Sequence, residues 1–360
     1  MRIFICEHHR YRSSLMVGSH RFAEEFLRRG HEVVWFSHPR TTLHRARTGR
    51  LPPVSTVHKD GVREITLRAI APYIGIPVLE SVNWGRRWLS RNGNVLRKLG
   101  LDRCDLLWVS DFTMLGILDL VEAGKVVFRF FDRIDKFERM PRTIFELVDF
   151  YRSAADVVIA SSSAVCDDLR IRGLEVVHVP NAVDAGRFPR GLSIWNSRPL
   201  RVTYVGALRW WFDLETVEHW AQALPDVEFL VVGPNEEGMR SSLPNLIFSG
   251  PVPDSELPAL LAAARFGIIP FKLNDLTRAV HPLKLYEYLA AGCQVLSAKL
   301  PDVREIPGAV FTYGKPSDGI EILKNNLDRR VDREMLRNIA IAHSWARRVD
   351  NVAFHLGCRL

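Results

Sequence analysis

The chain has 360 residues, of which 47% are hydrophobic and 25% charged, with a formal net charge of +8. At roughly 100–200 residues per domain this length predicts two domains, each able to bury a core, and ordinary Gly and Pro content excludes a disordered or collagen-like chain. Residues 1–110 hold 19 Lys/Arg against 9 Asp/Glu, a net of +10, whereas residues 191–360 hold 19 of each, so the basicity belongs to the first third of the chain.

In chain order, Arg2–Cys6 is a predicted strand; its apolar run stops at Glu7, too soon for a signal-peptide core. A helix at His20–Arg29 carries Phe22, Ala23, Phe26 and Leu27 on one face and is closed by Gly30. Strands follow at Glu32–Phe36, Leu106–Val109, Val126–Phe130, Val157–Ala160 and Val176–Val179, with helices at Leu115–Glu122, Thr143–Ala154 and Ser163–Arg172. Residues 181–200 are rich in turn formers and read as a linker. A second series then predicts strands at Arg201–Val205, Val227–Val232, Leu246–Phe248, Gly267–Pro270, Gln294–Ser297 and Val310–Tyr313. Its helices are expected at Asp213–Ala223, Ser255–Ala264, Pro282–Ala291, Ser317–Asp328 and Arg333–Arg348. Such alternation predicts an α/β protein of two doubly wound, Rossmann-like domains, with ligands at the carboxyl ends of the strands.

No run of 18 apolar residues occurs; the candidate around residues 257–271 is broken by Arg265. The five cysteines are far apart and form no metal-binding spacing, which predicts a reduced, cytoplasmic protein with no metal site and with cysteines packed as small apolar residues. Neither G-x-G-x-x-G nor G-x-x-x-x-G-K-[ST] follows a first strand, so a Rossmann dehydrogenase and a P-loop nucleotidase are poorly supported.

The richest segment is HPLKLYEYLAAG, residues 281–292. Leu283, Tyr286, Leu289 and Ala290 make an apolar stripe at helical spacing, while His281, Lys284 and Glu287 recur every three residues on the other face. A helix start with a lysine beside it favours a diphosphate; the alternative is a Lys–Glu pair on a solvated face. Gly206 directly follows a strand, where a glycine lets backbone approach a ligand or simply makes a turn. Phe271 ends another strand, as a pocket wall or a core residue.

The segments GHEVVWF (30–36), VPNAVD (179–184), the VGAL and VVGP strand ends, HPLKLYEYLAAG followed by QVLSA, and AHSWARRV (342–349) together resemble GT-B glycosyltransferases over nearly the whole chain. The resemblance implies an N-terminal acceptor domain (1–180), a linker (181–200), a C-terminal nucleotide-sugar domain (201–342) and a last helix (343–360) returning to the first domain. It implies Lys284 on the diphosphate, Glu287 on the ribose hydroxyls, Gly206 against the phosphates, and the 250–252 loop with Val252 framing the base together with Phe271. His281 and Leu283 belong to the same donor segment, and Arg209 is either a further donor contact or a surface arginine. Retaining members of the fold carry a second glutamate eight positions before the one matching Glu287, and that position is Ala279.

Asp132 lies two residues past a strand end, where a carboxylate serves base chemistry or caps a loop. The stretch F-R-F-F-D is similar to Y-R-A-S-D of the xanthan-type inverting glucuronosyltransferases, which implies Asp132 as general base. The same likeness covers Lys284, His9 and His20. His9, Arg12 and His20 are candidate acceptor-side residues; a histidine at a helix start is also a common structural element.

Residues 84–103 mix Trp84, Trp88, Leu89, Leu96 and Leu99 with six Arg/Lys, the pattern of a segment lying on an anionic membrane or of an ordinary solvated basic helix. The expectation is a glycosyltransferase that uses a nucleotide-diphosphate sugar, by resemblance a UDP-sugar, with no cofactor and no metal. Its acceptor is a saccharide or lipid-linked saccharide in polysaccharide assembly. The alternatives are a retaining enzyme of the same fold, a nucleotide-sugar epimerase or phosphorylase, and a non-enzymatic binding module. No nucleic-acid-binding signature is found.

Overall fold

The computed structural model describes residues 1–13, 16–41, 54–73, 81–131, 143–189 and 198–360. These form two compact units: unit 1, Met1–Val179 with Val349–Leu360, and unit 2, Pro180–Arg348.

Unit 1 begins with β1 (Arg2–Glu7), α1 (Gly18–Arg28) and β2 (Glu32–Thr41). It continues with β3 (Ser55–Val57), β4 (Arg63–Ala69), α2 (Val82–Arg87), α3 (Gly93–Leu99) and β5 (Arg103–Val109). After these come β6 (Glu122–Phe130), α4 (Ile144–Phe150), β7 (Val157–Ala160), α5 (Ser163–Ile171) and β8 (Val177–His178). The strand order is β3-β4-β2-β1-β5-β6-β7-β8, parallel except for the β3–β4 pair. β1 is central, and Ile3, Phe4, Ile5 and Cys6 are all fully buried, the continuous apolar run of a strand covered on both faces. Trp35, Trp108, Phe22, Phe26 and Phe128 complete the core; each large apolar side chain so buried contributes roughly 1.5–3 kcal/mol.

Unit 2 contains β9 (Arg201–Val205), α6 (Leu214–Ala223), β10 (Glu228–Val232), β11 (Leu246–Gly250) and α7 (Leu257–Ala262). Then follow β12 (Phe266–Ile269), α8 (Lys284–Ala290), β13 (Gln294–Ala298), β14 (Val310–Tyr313), α9 (Pro316–Asn326) and α10 (Arg333–Ala342). Its sheet, β11-β10-β9-β12-β13-β14, is entirely parallel. The order reverses between β9 and β12, the switch point at which such sheets open a crevice. α11 (Trp345–Leu356) runs from unit 2 into unit 1, where Arg29 Nη1 pairs with Asp350 Oδ1 at 2.8 Å and donates to the Leu360 carbonyl at 2.7 Å.

Both sheets are the doubly wound α/β kind that the alternation predicts. Several elements differ in extent or type. The helix expected at Leu115–Glu122 is a 3₁₀ helix, Phe112–Asp119, and Glu122 already belongs to β6. Asp111 caps it through Thr113, and a Cβ at Gly116 would stand 2.7 Å from the Arg86 carbonyl, so the turn is pressed against α2. The single helix expected at Arg333–Arg348 is two, because the chain leaves the helix at His343–Ser344 to bridge Val183, whose N–H donates to the His343 carbonyl at 3.0 Å. The helix of the 281–292 segment starts at Lys284, two residues after Pro282. Residues 181–188, read as linker, pack on unit 2: Asn181 Nδ2 donates to the His281 carbonyl at 2.7 Å, and Phe188 is buried.

Residues 84–103 fold as α2, a 3₁₀ turn (Ser90–Asn92), α3 and the first residue of β5. Trp88, Leu89 and Leu96 are buried in unit 1, and Trp88 Nε1 donates to the Ala71 carbonyl at 2.8 Å. The apolar side of this segment is therefore spent on the protein's own core. Arg87, Arg91, Arg97, Lys98 and Arg103 remain exposed. Four of the five cysteines are buried, as expected of small apolar residues, and all five are free thiols. Among the described residues no helix is long and apolar enough to cross a membrane.

Candidate functional site

In unit 2, β9, β10 and β11 end in or run into Gly206, Gly233 and Gly250. Gly206 N–H donates to the Val232 carbonyl at 2.8 Å, and Gly233 N–H to the Gly250 carbonyl at 2.9 Å. Gly206 and Gly233 have φ of +153° and +147°, and a Cβ on Gly233 would sit 1.9 Å from the Gly206 oxygen. The two backbones can pass this closely only as glycines. A Cβ on Gly206 would meet Lys284 Cε at 2.4 Å and Nζ at 2.8 Å, so the first residue of α8 lays its side chain directly over Gly206.

Lys284 is half-buried, with Nζ 5.8 Å from the Tyr204 ring centroid. Burial lowers its pKa, and Glu287 one turn along α8 acts in the opposite direction. Among the described residues no hydrogen bond or ion pair reaches this ammonium. A partly desolvated cation beside a bare glycine backbone at a strand end is arranged to receive an anion.

Tyr288, whose role the sequence does not announce, explains how the crevice stays open. β9 and β12 pair only at Val202–Phe266 and Thr203–Gly267. Beyond that point the Tyr288 hydroxyl stands between them, accepting from Val205 N–H at 3.0 Å and donating to the Ile268 carbonyl at 3.3 Å. Gly267 makes room for the ring: a Cβ there would lie 2.2 Å from it.

The other expected donor residues divide. Glu287 and Leu283 are half-buried beside Lys284, and Val252 is half-buried in the loop after β11. Phe271 is buried, bridges to Phe212, and lines a hollow of about 380 Å³ with Asp213, Thr216, His219 and Tyr313. The His281 ring is buried and stacks on Tyr286 at 5.7 Å, which stacks on His343 at 4.3 Å, so it belongs to an aromatic column. Arg209 pairs with Glu236 at 2.5 Å, the arginine half-buried and the glutamate exposed.

In unit 1, the acceptor-side candidates gather after β1. His20 is fully buried; Val17 N–H donates to its Nδ1 at 3.1 Å, leaving Nε2 to donate to the Arg10 carbonyl at 3.0 Å. With both nitrogens engaged and its ring against Trp35 and Tyr11, it shapes the loop rather than presenting a free edge. Arg12 Nη2 and the Tyr11 hydroxyl both bond Asp60 Oδ2 at 2.8 Å. His9 is half-buried, and burial lowers its pKa. Asp111, buried at the end of β5, was not singled out by sequence. Burial alone would raise its pKa, but His38 and His8 beside it hold the carboxyl far below the usual range. Asp132 lies outside the described residues, one position past Phe131, whose carbonyl accepts from Ser161 Oγ at 2.7 Å.

Residues 199–327 match the family model described as "Glycosyl transferases group 1". A stretch of 157 residues is 33% identical to TuaH of Bacillus subtilis (strain 168), named as a glycosyltransferase of teichuronic acid biosynthesis; the match spans 39% of this chain and 39% of that protein. Among solved structures, Anabaena HepE in complex with UDP-glucose superposes with a TM-score of 0.69 at 15% identity, covering 99% of both chains. A glycosyltransferase from Rickettsia africae gives 0.66 at 13% identity, covering 98% of this chain and 97% of its own. The UDP-forming trehalose-phosphate synthase of Burkholderia xenovorans, in complex with glucose-6-phosphate, gives 0.65 at 14% identity, covering 99% and 100%. The chain has the GT-B fold, and its residues 199–327 are similar to the glycosyl transferases group 1 family.

Proposed function

We propose that the protein transfers a sugar from a UDP-sugar to a hydroxyl of a saccharide or lipid-linked saccharide, in the assembly of a cell-surface polysaccharide. The observation that carries this reading is the Lys284 ammonium laid over Gly206, without a hydrogen-bond or ion-pair partner among the described residues. The UDP-glucose in HepE and the naming of TuaH support the donor and pathway classes. Unit 2 takes the donor, with Lys284 and the Gly206 backbone on the diphosphate and Glu287 on the ribose. Unit 1 takes the acceptor beside the loop that His20 holds in shape, and its exposed arginines favour an anionic membrane surface on the cytoplasmic side.

The chemistry is a single displacement. Asp132 removes the proton of the acceptor hydroxyl as that oxygen attacks the anomeric carbon, and UDP leaves with its growing charge met by Lys284. Inversion is favoured by Ala279, which stands where retaining relatives carry a glutamate. Asp132→Asn is expected to lower turnover by roughly 10²–10⁴-fold while UDP binding is retained, and the wild-type product is expected to have the inverted anomeric configuration. Near-wild-type turnover in that variant would remove Asp132 from the mechanism, and a retained anomer would replace the single displacement with the retaining reading.

A further inference from the structure

We propose that unit 1 carries a binding site for a divalent metal of the zinc class, formed by His8 Nδ1, His38 Nδ1 and Asp111 Oδ2. These residues are far apart in sequence, and neighbouring strands bring them together. β2, β1 and β5 lie side by side with registers Glu7↔Ser37 and Cys6↔Val109, so the residues just beyond those pairs stand at one level of the carboxyl edge.

The three donor atoms converge on one point. His38 Nδ1 is 2.7 Å and His8 Nδ1 3.6 Å from Asp111 Oδ2, and all three donor atoms lie within 4.8 Å of one another. The carboxylate is fixed from behind. Its Oδ1 accepts from Thr113 N–H at 3.1 Å and Thr113 Oγ1 at 2.6 Å, which leaves Oδ2 for the two imidazoles. The backbone is pinned as well, since the N–H groups of Ser110 and Asp111 both donate to the Cys6 carbonyl, at 2.9 and 3.1 Å. Such orientation of a ligand by its neighbours is what metal sites require.

The donor set and its shape select the ion. Two imidazole nitrogens and one carboxylate oxygen suit Zn²⁺ and similar transition metals, whereas Mg²⁺ and Ca²⁺ prefer oxygen alone. Zinc bonds of about 2.0–2.2 Å place tetrahedral donors roughly 3.3 Å apart. The His8 distance is already close to that, and the His38 distance needs to open by well under about 1 Å on the same scale. The Asp111 side chain is 5% exposed, His38 24% and His8 57%, so the anion forms the floor and the mouth is open beside His8. A three-ligand site open on one side leaves a coordination position for water or an oxygen ligand. A metal bound at Nδ1 leaves each neutral imidazole with its proton on Nε2, so the two N–H groups that face Asp111 are exchanged for metal bonds by a change of tautomer.

The test is calorimetric titration of chelator-treated full-length protein with ZnCl₂, and separately with MgCl₂. The expected result is one Zn²⁺ per chain and no saturable Mg²⁺ binding. His8→Ala is the primary variant because its exposed ring leaves the core intact; it should weaken Zn²⁺ by at least roughly tenfold with an unchanged thermal melt, and His38→Ala should do the same. Absence of saturable Zn²⁺ binding, or wild-type Zn²⁺ affinity in either variant, would overturn the proposal.

Discussion

Lys284 stands over a glycine backbone with part of its hydration stripped away, and no hydrogen bond or ion pair to its ammonium is found among the described residues. The cost of holding that charge is repaid when a diphosphate arrives, because the anion favours the ammonium form that burial disfavours. The sign of the pH effect follows. Donor affinity is full while Lys284 is protonated and falls as pH rises through its depressed pKa, below the range of an ordinary lysine. Measured as the UDP dissociation constant against pH, the decline should be present in the wild type and absent in Lys284→Ala; equal slopes in both would contradict the role. The motif containing Lys284 was legible in sequence because its spacing is local. The stacking of His281 on Tyr286 and the full engagement of His20 were not, since each depends on residues brought from elsewhere: His343 for the first, Arg10 and Trp35 for the second.

At the scale of elements, the decisive feature is the divergence of β9 and β12 around the Tyr288 hydroxyl. Gly267→Ala puts a methyl 2.2 Å from the Tyr288 ring, which is held by both its hydrogen bonds and its packing. Such overpacking is expected to cost about 1–3 kcal/mol, read from the urea midpoint, and to weaken UDP binding by disturbing the strand ends beside Gly206. An unchanged midpoint would show that the strands are not wedged apart in this way. The strand series of both units could be read from apolar runs bounded by turn residues. β3, β4 and the short helices α2 and α3 escaped, because their three to seven residues carry too little periodicity. The break at His343–Ser344 escaped for another reason: helical pattern continues across it, and only the bridge to Val183 shows why the backbone departs.

Across the whole molecule, the charge asymmetry gains a physical location. The net of +10 within residues 1–110 includes five basic side chains exposed along residues 87–103, while Trp88, Leu89 and Leu96 of the same segment are buried. Membrane association by this segment would be electrostatic, without insertion of those apolar side chains, and worth about 1 kcal/mol per basic residue near an anionic surface. Sedimentation with vesicles containing phosphatidylglycerol should therefore be strong at low salt and lost at about 0.5 M salt, where screening is short-ranged. Binding that persists at high salt, or that is equal on neutral vesicles, would contradict this account.

The central claim is that unit 2 binds a UDP-sugar through Lys284 and the Gly206 backbone. Its most direct test is thermal unfolding in the presence of UDP-, GDP- and ADP-sugars, for the wild type and Lys284→Ala. The expected result is stabilisation of the wild type by UDP-sugars above the others, with the half-saturating concentration raised at least roughly tenfold in the variant, as loss of a charged hydrogen bond of about 1.5–3 kcal/mol requires. No stabilisation by any UDP-sugar, or the same half-saturating concentration in Lys284→Ala, would contradict it.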